Sequence, residues 1–141
     1  MKSFEELGLN ERILQAIGEQ GYEYPMPIQE AVIPVLLGNG DESGWQGDMV
    51  ALAQTGTGKT AAYLLPVLSE LSYGDYPTDA INCVIMSPTR ELAQQIDQAL
   101  QGFSYHLPYI SSVAVYGGND GIRYEQEKRS MQPVSYTHLT L

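Results

Sequence analysis

The octapeptide Ala53–Gln54–Thr55–Gly56–Thr57–Gly58–Lys59–Thr60 constrains this chain more than any other stretch of it. It stands between a short apolar run, Met49–Ala53, and a helix-forming stretch, Lys59–Leu71. A loop that cradles phosphate reads Gly, four residues, then Gly-Lys-Ser/Thr, in a turn from strand to helix. Here Ala53 takes the place of the first Gly, and the rest fits at the right offset. Gly56 and Gly58 allow backbone angles that a side chain would forbid, so successive N–H groups from Gln54 to Thr60 can converge on phosphate oxygens. Lys59 would neutralise charge on the β- and γ-phosphates of a nucleotide, and the Thr60 hydroxyl would ligate Mg²⁺. The helix beginning there adds its N-terminal dipole. The competing reading is a Gly/Thr-rich turn that merely caps a helix; the spacing, the Lys-Thr pair and the preceding apolar run all favour the phosphate loop.

The period of the sequence changes repeatedly around this loop. Asn10 is placed to cap a helix over Glu11–Gln20 that puts Ile13, Leu14 and Ile17 on one face, with Gly21 just past its end. Pro27 suits the first turn of a second helix carrying Ile28, Ala31, Val32, Val35 and Leu36, which stops at Gly38 and tolerates Pro34 inside. Gly38–Asp48 reads as an exposed loop, and its Trp45 as a half-exposed loop aromatic. Strands are expected at Met49–Ala53, Ile81–Met86 and Ser112–Tyr116, with helices at Lys59–Leu71 and Thr89–Gln101. Strands alternating with helices of this length indicate βαβ units, an α/β fold with a parallel sheet and helices on both faces.

Composition limits the function. The chain has 141 residues, 17 acidic and 7 basic, for a formal charge of −10. That excludes a histone-like binder whose affinity comes from many Lys/Arg–phosphate contacts, but not a protein that grips phosphate with a few placed groups. The acidic excess is concentrated in residues 1–48, which hold nine acids and two bases. Arg123, Lys128 and Arg129 form the one basic cluster; interleaved with Glu125 and Glu127, they read as a solvated helix face. Cys83 reads as a strand core residue, and His106 has no Cys or His partner at metal-ligand spacing. A lone cysteine, an early acidic N-terminus and the lack of a long apolar segment lead us to expect a cytoplasmic protein that does not enter a membrane.

AQTGTGKT, with Ala first, resembles the first motif of the DEAD-box RNA helicases, and three further segments resemble that family in the same order. Gly21–Tyr22–Glu23–Tyr24–Pro25–Met26–Pro27–Ile28–Gln29 resembles its Q motif, with an isolated aromatic, Phe4, seventeen residues before Gly21. Pro88–Thr89–Arg90–Glu91–Leu92–Ala93 resembles its PTREL motif, and Gly117–Gly118 its GG motif. The resemblance implies a RecA-like P-loop NTPase domain, incomplete at its C-terminus. It implies ATP and Mg²⁺ as cofactors and RNA as partner, with Pro88, Thr89, Arg90, Gly117 and Gly118 along the sugar-phosphate backbone. It also implies that Tyr22 stacks on adenine and that Phe4 belongs to the same nucleotide-binding set, where it reads chiefly as a packing residue that holds this segment against the domain. A carboxamide offers donor and acceptor together, so Gln29 can pair with both the amino group and a ring nitrogen of adenine. Taken alone, Gln29 reads as a helix-surface amide; set beside the phosphate loop and the rest of the motif, it reads as the adenine reader. Arg90 has two readings as well, contact with RNA or support of neighbouring loops.

On this reading residues 1–37 are a helical Q-motif region, 38–48 an exposed loop, and 49–133 part of the first RecA-like domain. No Asp-Glu-Ala-Asp tetrapeptide occurs in the sequence, nor do the family's TPGR and SAT motifs. The expectation is therefore an N-terminal fragment that binds nucleotide at most, drawn from an ATP-dependent RNA helicase. In the tail, 134–141, Ser135, Thr137, His138 and Thr140 interrupt what should be an apolar strand, which marks these last eight residues as foreign to the domain. The rival readings are a DNA helicase or other P-loop motor, and a non-catalytic nucleotide-binding module.

Overall fold

A computed structural model describes residues 2–38, 47–77, 79–116 and the backbone of 137–140. Trp45, Gly117, Gly118, Arg123, Lys128 and Arg129 lie outside the described residues. The chain divides into two compact units.

The first unit comprises residues 1–73 and 102–107. After a one-turn 3₁₀ helix at Glu5–Leu7 come α1 (Glu11–Glu19), α2 (Pro27–Leu36) and α3 (Lys59–Tyr73). Each helix begins where its sequence says it should. The Asn10 side chain accepts a hydrogen bond from the Arg12 N–H at 2.8 Å, satisfying one of the donors that a helix start leaves orphaned. Its Nδ2 also donates to Ser72 Oγ at 2.9 Å, while the Asn10 N–H donates to Ser69 Oγ at 3.1 Å, so the cap of α1 is fastened to the end of α3. Pro27 occupies the first position of α2, where a missing N–H costs nothing. Between these helices lie Ile13, Ile17, Ile33, Leu64, Leu65 and Leu68, all 2% exposed or less.

The second unit comprises residues 74–101 and 108–141. It holds β1 (Val84–Ser87), most of α4 (Arg90–Phe103), β2 (Ala114–Val115) and β3 (Thr137–Thr140). The three strands form one parallel sheet in the order β1-β3-β2, with Val84 opposite Thr137 and Ala114 opposite His138. The parallel pairing agrees with the sequence-based expectation. In α4, Ala93, Ile96, Leu100 and Phe103 recur at helical spacing and are all buried.

Four expectations need correction. Met49–Ala53 is not a strand: Val50 and Leu52 are 88% and 90% exposed, and among the described residues no neighbouring strand pairs with it. An apolar run states a preference for burial, but a strand exists only when another offers it a ladder. The second strand is shifted, running Val84–Ser87 instead of Ile81–Met86, and the third shrinks to Ala114–Val115. The tail, whose polar residues argue against a central strand, supplies the middle strand β3, because parallel pairing draws on backbone groups that every residue here carries.

Candidate nucleotide site and PTREL segment

The phosphate loop leads into α3, and Gly58 is where its geometry is most demanding. Gly58 has φ +79°, a left-handed conformation that disfavours side chains. A Cβ there would overlap Gln29 Nε2 and stand 3.3 Å from Met26 Cγ. The glycine thus lets the loop backbone approach the start of α2 closely. Gln29 uses that approach: its Nε2 donates to the Gly58 carbonyl at 3.1 Å, and its Oε1 accepts from the Met26 N–H at 2.9 Å. The second bond is the reach-back half of a capping box, made by the third residue of α2. Gln29 is 1% exposed, so its carboxamide is a buried joint between the Q-motif helix and the phosphate loop. An amide has two donor hydrogens and two acceptor lone pairs, and these two bonds use one of each.

The rest of the loop is closed on itself. Lys59 Nζ donates to the Ala53 carbonyl at 2.7 Å, and Thr57 Oγ1 to the Gln54 carbonyl at 2.6 Å. Gly56 also has a left-handed φ, +80°. Thr60 lies in the first turn of α3, where its side chain hydrogen-bonds to Tyr63; burial still raises the Tyr63 phenol above its ordinary range. Among the described residues no group of three His, Cys, Asp or Glu side chains could hold a metal ion.

An aromatic chain supports the Q motif. Phe4, 3% exposed, meets Tyr22 edge-to-face at a centroid distance of 6.4 Å. Tyr22, 41% exposed, in turn meets buried Phe103 at 5.8 Å and 68°. The packing role expected of Phe4 is what the structure displays. Phe103 was not legible as part of the site, because in sequence it is one more apolar position on the core face of α4.

The PTREL segment lies in the second unit. Thr89 caps α4, its Oγ1 accepting from the Leu92 N–H at 3.2 Å and its carbonyl from the Ala93 N–H at 3.1 Å. Pro88, Thr89 and Arg90 are exposed. The Arg90 guanidinium lies over the Tyr116 ring, 5.5 Å from its centroid, and the Tyr116 hydroxyl accepts from Gln94 Nε2 at 3.3 Å. A cation over an aromatic ring is attracted by the negative face of the ring. Tyr116 is a second residue the sequence reading passed over, although it immediately precedes Gly117–Gly118. Burial pushes the Cys83 thiol up from its ordinary range, which makes it a poor nucleophile; the residue is half-buried and just precedes β1, which corrects the expectation of a strand core position.

A family model for DEAD/DEAH box helicases matches residues 26–140. The chain belongs to the DEAD/DEAH box helicase family. Among DEAD/DEAH box relatives, it is 42% identical over 130 residues to the ATP-dependent RNA helicase DeaD of Escherichia coli (strain K12), covering 92% of this chain and 19% of that protein. It is 40% identical over 121 residues to the ATP-dependent RNA helicase CshA of Listeria monocytogenes, covering 85% of this chain and 21% of that one. The chain therefore spans about a fifth of the length of these helicases. Among solved structures, it resembles the RNA helicase Prp28 from Chaetomium thermophilum bound to ADP, with a TM-score of 0.77 and 33% identity over 99% of this chain and 32% of that one. The RecA-like α/β fold class expected from sequence agrees with these neighbours.

Proposed function

We propose that these 141 residues form the adenine- and phosphate-gripping part of an ATP-dependent RNA helicase. The observation that carries this is the joint between Gln29 and Gly58, which binds a base-reading motif to a phosphate loop within one unit. Lys59 gives up the Ala53 carbonyl when a phosphate arrives, exchanging a neutral acceptor for an anionic one, which makes a shorter and stronger hydrogen bond. The left-handed Gly56 and Gly58 turn backbone N–H groups toward the same oxygens. Gln29 is buried, so the base reaches its remaining donor and acceptor only as the start of α2 and the loop part slightly on binding, and Tyr22 stacks on the base. The names of the relatives and the ADP held by Prp28 support this reading.

A Mg²⁺ ion fits the site as a companion of the nucleotide: a threonine hydroxyl and phosphate oxygens are hard donors, and no cluster of protein side chains competes for the ion among the described residues. Thr60 would hold it, and when bound it would offset phosphate charge. RNA backbone phosphates are the ligands we assign to Thr89 and Arg90, with Pro88 holding the turn that exposes them. Gly117 and Gly118 belong to the same proposal. The protein is placed in the cytoplasm on the same reading. Lacking an Asp-Glu-Ala-Asp tetrapeptide, these residues bind ATP without turning it over; duplex separation belongs to the longer protein.

Calorimetric titration of the chain with Mg·ATP, Mg·GTP and inorganic triphosphate tests the assignment. ATP should bind more tightly than GTP, and Lys59→Ala should abolish binding of all three. Equal affinity for ATP and GTP would refute base reading by Gln29, and ATP binding that survives Lys59→Ala would refute the phosphate loop.

A further inference from the structure

Tyr22 is the half-exposed middle ring of an edge-to-face aromatic cluster. Its N–H donates to the Ile17 carbonyl at 3.0 Å, which fixes the backbone, and Phe4 and Phe103 each meet its ring. The Phe103 side is held by more than one contact. Gln20 Oε1 lies 2.9 Å from where a Cβ on Gly102 would stand, so only a glycine there leaves its place undisturbed. The Gln20 side chain is itself held by donation from Nε2 to the Ala16 carbonyl at 3.0 Å. Glu19 Oε2 meets His106 Nε2 at 2.8 Å. Residues 19, 20 and 22 are therefore seated on 106, 102 and 103 in turn, far apart in sequence but within one unit.

From this we infer that Phe103 is a positioning residue for adenine recognition, fixing the Tyr22 ring in the orientation that receives the base. The inference rests on the adenine-binding reading above and extends it to a residue outside the motifs. Phe103 touches no nucleotide. It is 2% exposed and acts through Tyr22. A half-exposed tyrosine on a loop would otherwise sample several rotamers, and each bound base would have to freeze it. Edge-to-face contact with buried rings removes that freedom before the base arrives.

The test titrates the full chain with Mg·ATP and with inorganic triphosphate, which lacks the base. Phe103→Leu should weaken ATP by about 3- to 10-fold, the worth of one aromatic pair, and leave triphosphate unchanged. In a Tyr22→Leu background the same substitution should cost ATP nothing further. A wild-type measurement stands beside the variants. The chain has two phenylalanines, so ring-¹³C labelling yields two sets of signals. The set assigned to Phe103 should shift with ATP and stay still with triphosphate. The inference is overturned if Phe103→Leu leaves ATP affinity intact, weakens both ligands alike, or adds its full effect to that of Tyr22→Leu; an unmoved Phe103 signal at saturating ATP overturns it too. If the wild type binds ATP no better than triphosphate, the base-recognition reading itself falls; if it prefers ATP and only the Phe103 effects are missing, that reading stands and this one does not.

Discussion

The two units differ in where their cores come from. In the first, three helices and a 3₁₀ turn bring Ile13, Ile33, Leu64 and Leu65 together at 0% exposure, and polar bonds from Asn10 and Gln29 fasten one element to the next. In the second, one helix face is the main apolar surface, and the strand β1 leaves Val84 half exposed and Met86 62% exposed. A parallel sheet normally has both faces covered, whereas helices can bury their stripes against their neighbours in sequence. The phosphate loop and the Q motif lie in the unit whose packing is built from local helices. That difference can be attacked by mutation.

The largest effect should come from Leu64→Ala, which removes a fully buried side chain from the first core and should cost about 2–5 kcal/mol in urea unfolding. Met86→Ala, on the exposed side of β1, should change stability by less than ~0.5 kcal/mol. Similar losses for the two would erase the contrast between the units. Gly58→Ala should follow, with about 1–2 kcal/mol from the left-handed backbone alone and a further loss as the Gln29 carboxamide is pushed from its joint. ATP binding should disappear in that variant; titration calorimetry and a melt of the same sample separate the two effects. Asn10→Ala should cost about 1 kcal/mol as a lost cap, read as a lowered melting temperature. The smallest effect concerns pH. Hydrogen bonds from His106 and then Gln15 hold the Glu19 carboxyl below its ordinary range. A depressed carboxylate contributes stability that is present above its unfolded pKa and is lost as pH falls through the folded one. Glu19→Gln should therefore lower stability slightly near neutrality and make no difference in acid, compared by melts at several pH values.

Much of this molecule was legible in its sequence, and the limits have physical causes. The caps at Asn10 and Thr89, Pro27 at the head of α2 and the Gly-Lys-Thr turn are local chemistry, and each stands where the spacing puts it. The failed strand at Met49–Ala53 and the shortened one at Ala114–Val115 depend on partners distant in the chain, which periodicity does not encode. The site divides in the same way. Gln29, Gly58 and Lys59 follow from motif spacing, although the spacing does not reveal that Gln29 and Gly58 bond to each other. Phe103 and Tyr116 carry no signal except apolar or aromatic character, because what distinguishes them is what they touch, Tyr22 and Arg90.

The central claim is that the Q motif and the phosphate loop respond to nucleotide as one joined piece. Hydrogen exchange of the full chain, with and without saturating Mg·ATP, tests it most directly. ATP should slow exchange in peptides covering Gln54–Ala62 and Met26–Ile33 together and leave Val84–Ser87 unchanged. Protection of the loop without the start of α2, or none at either at saturation, would contradict the account.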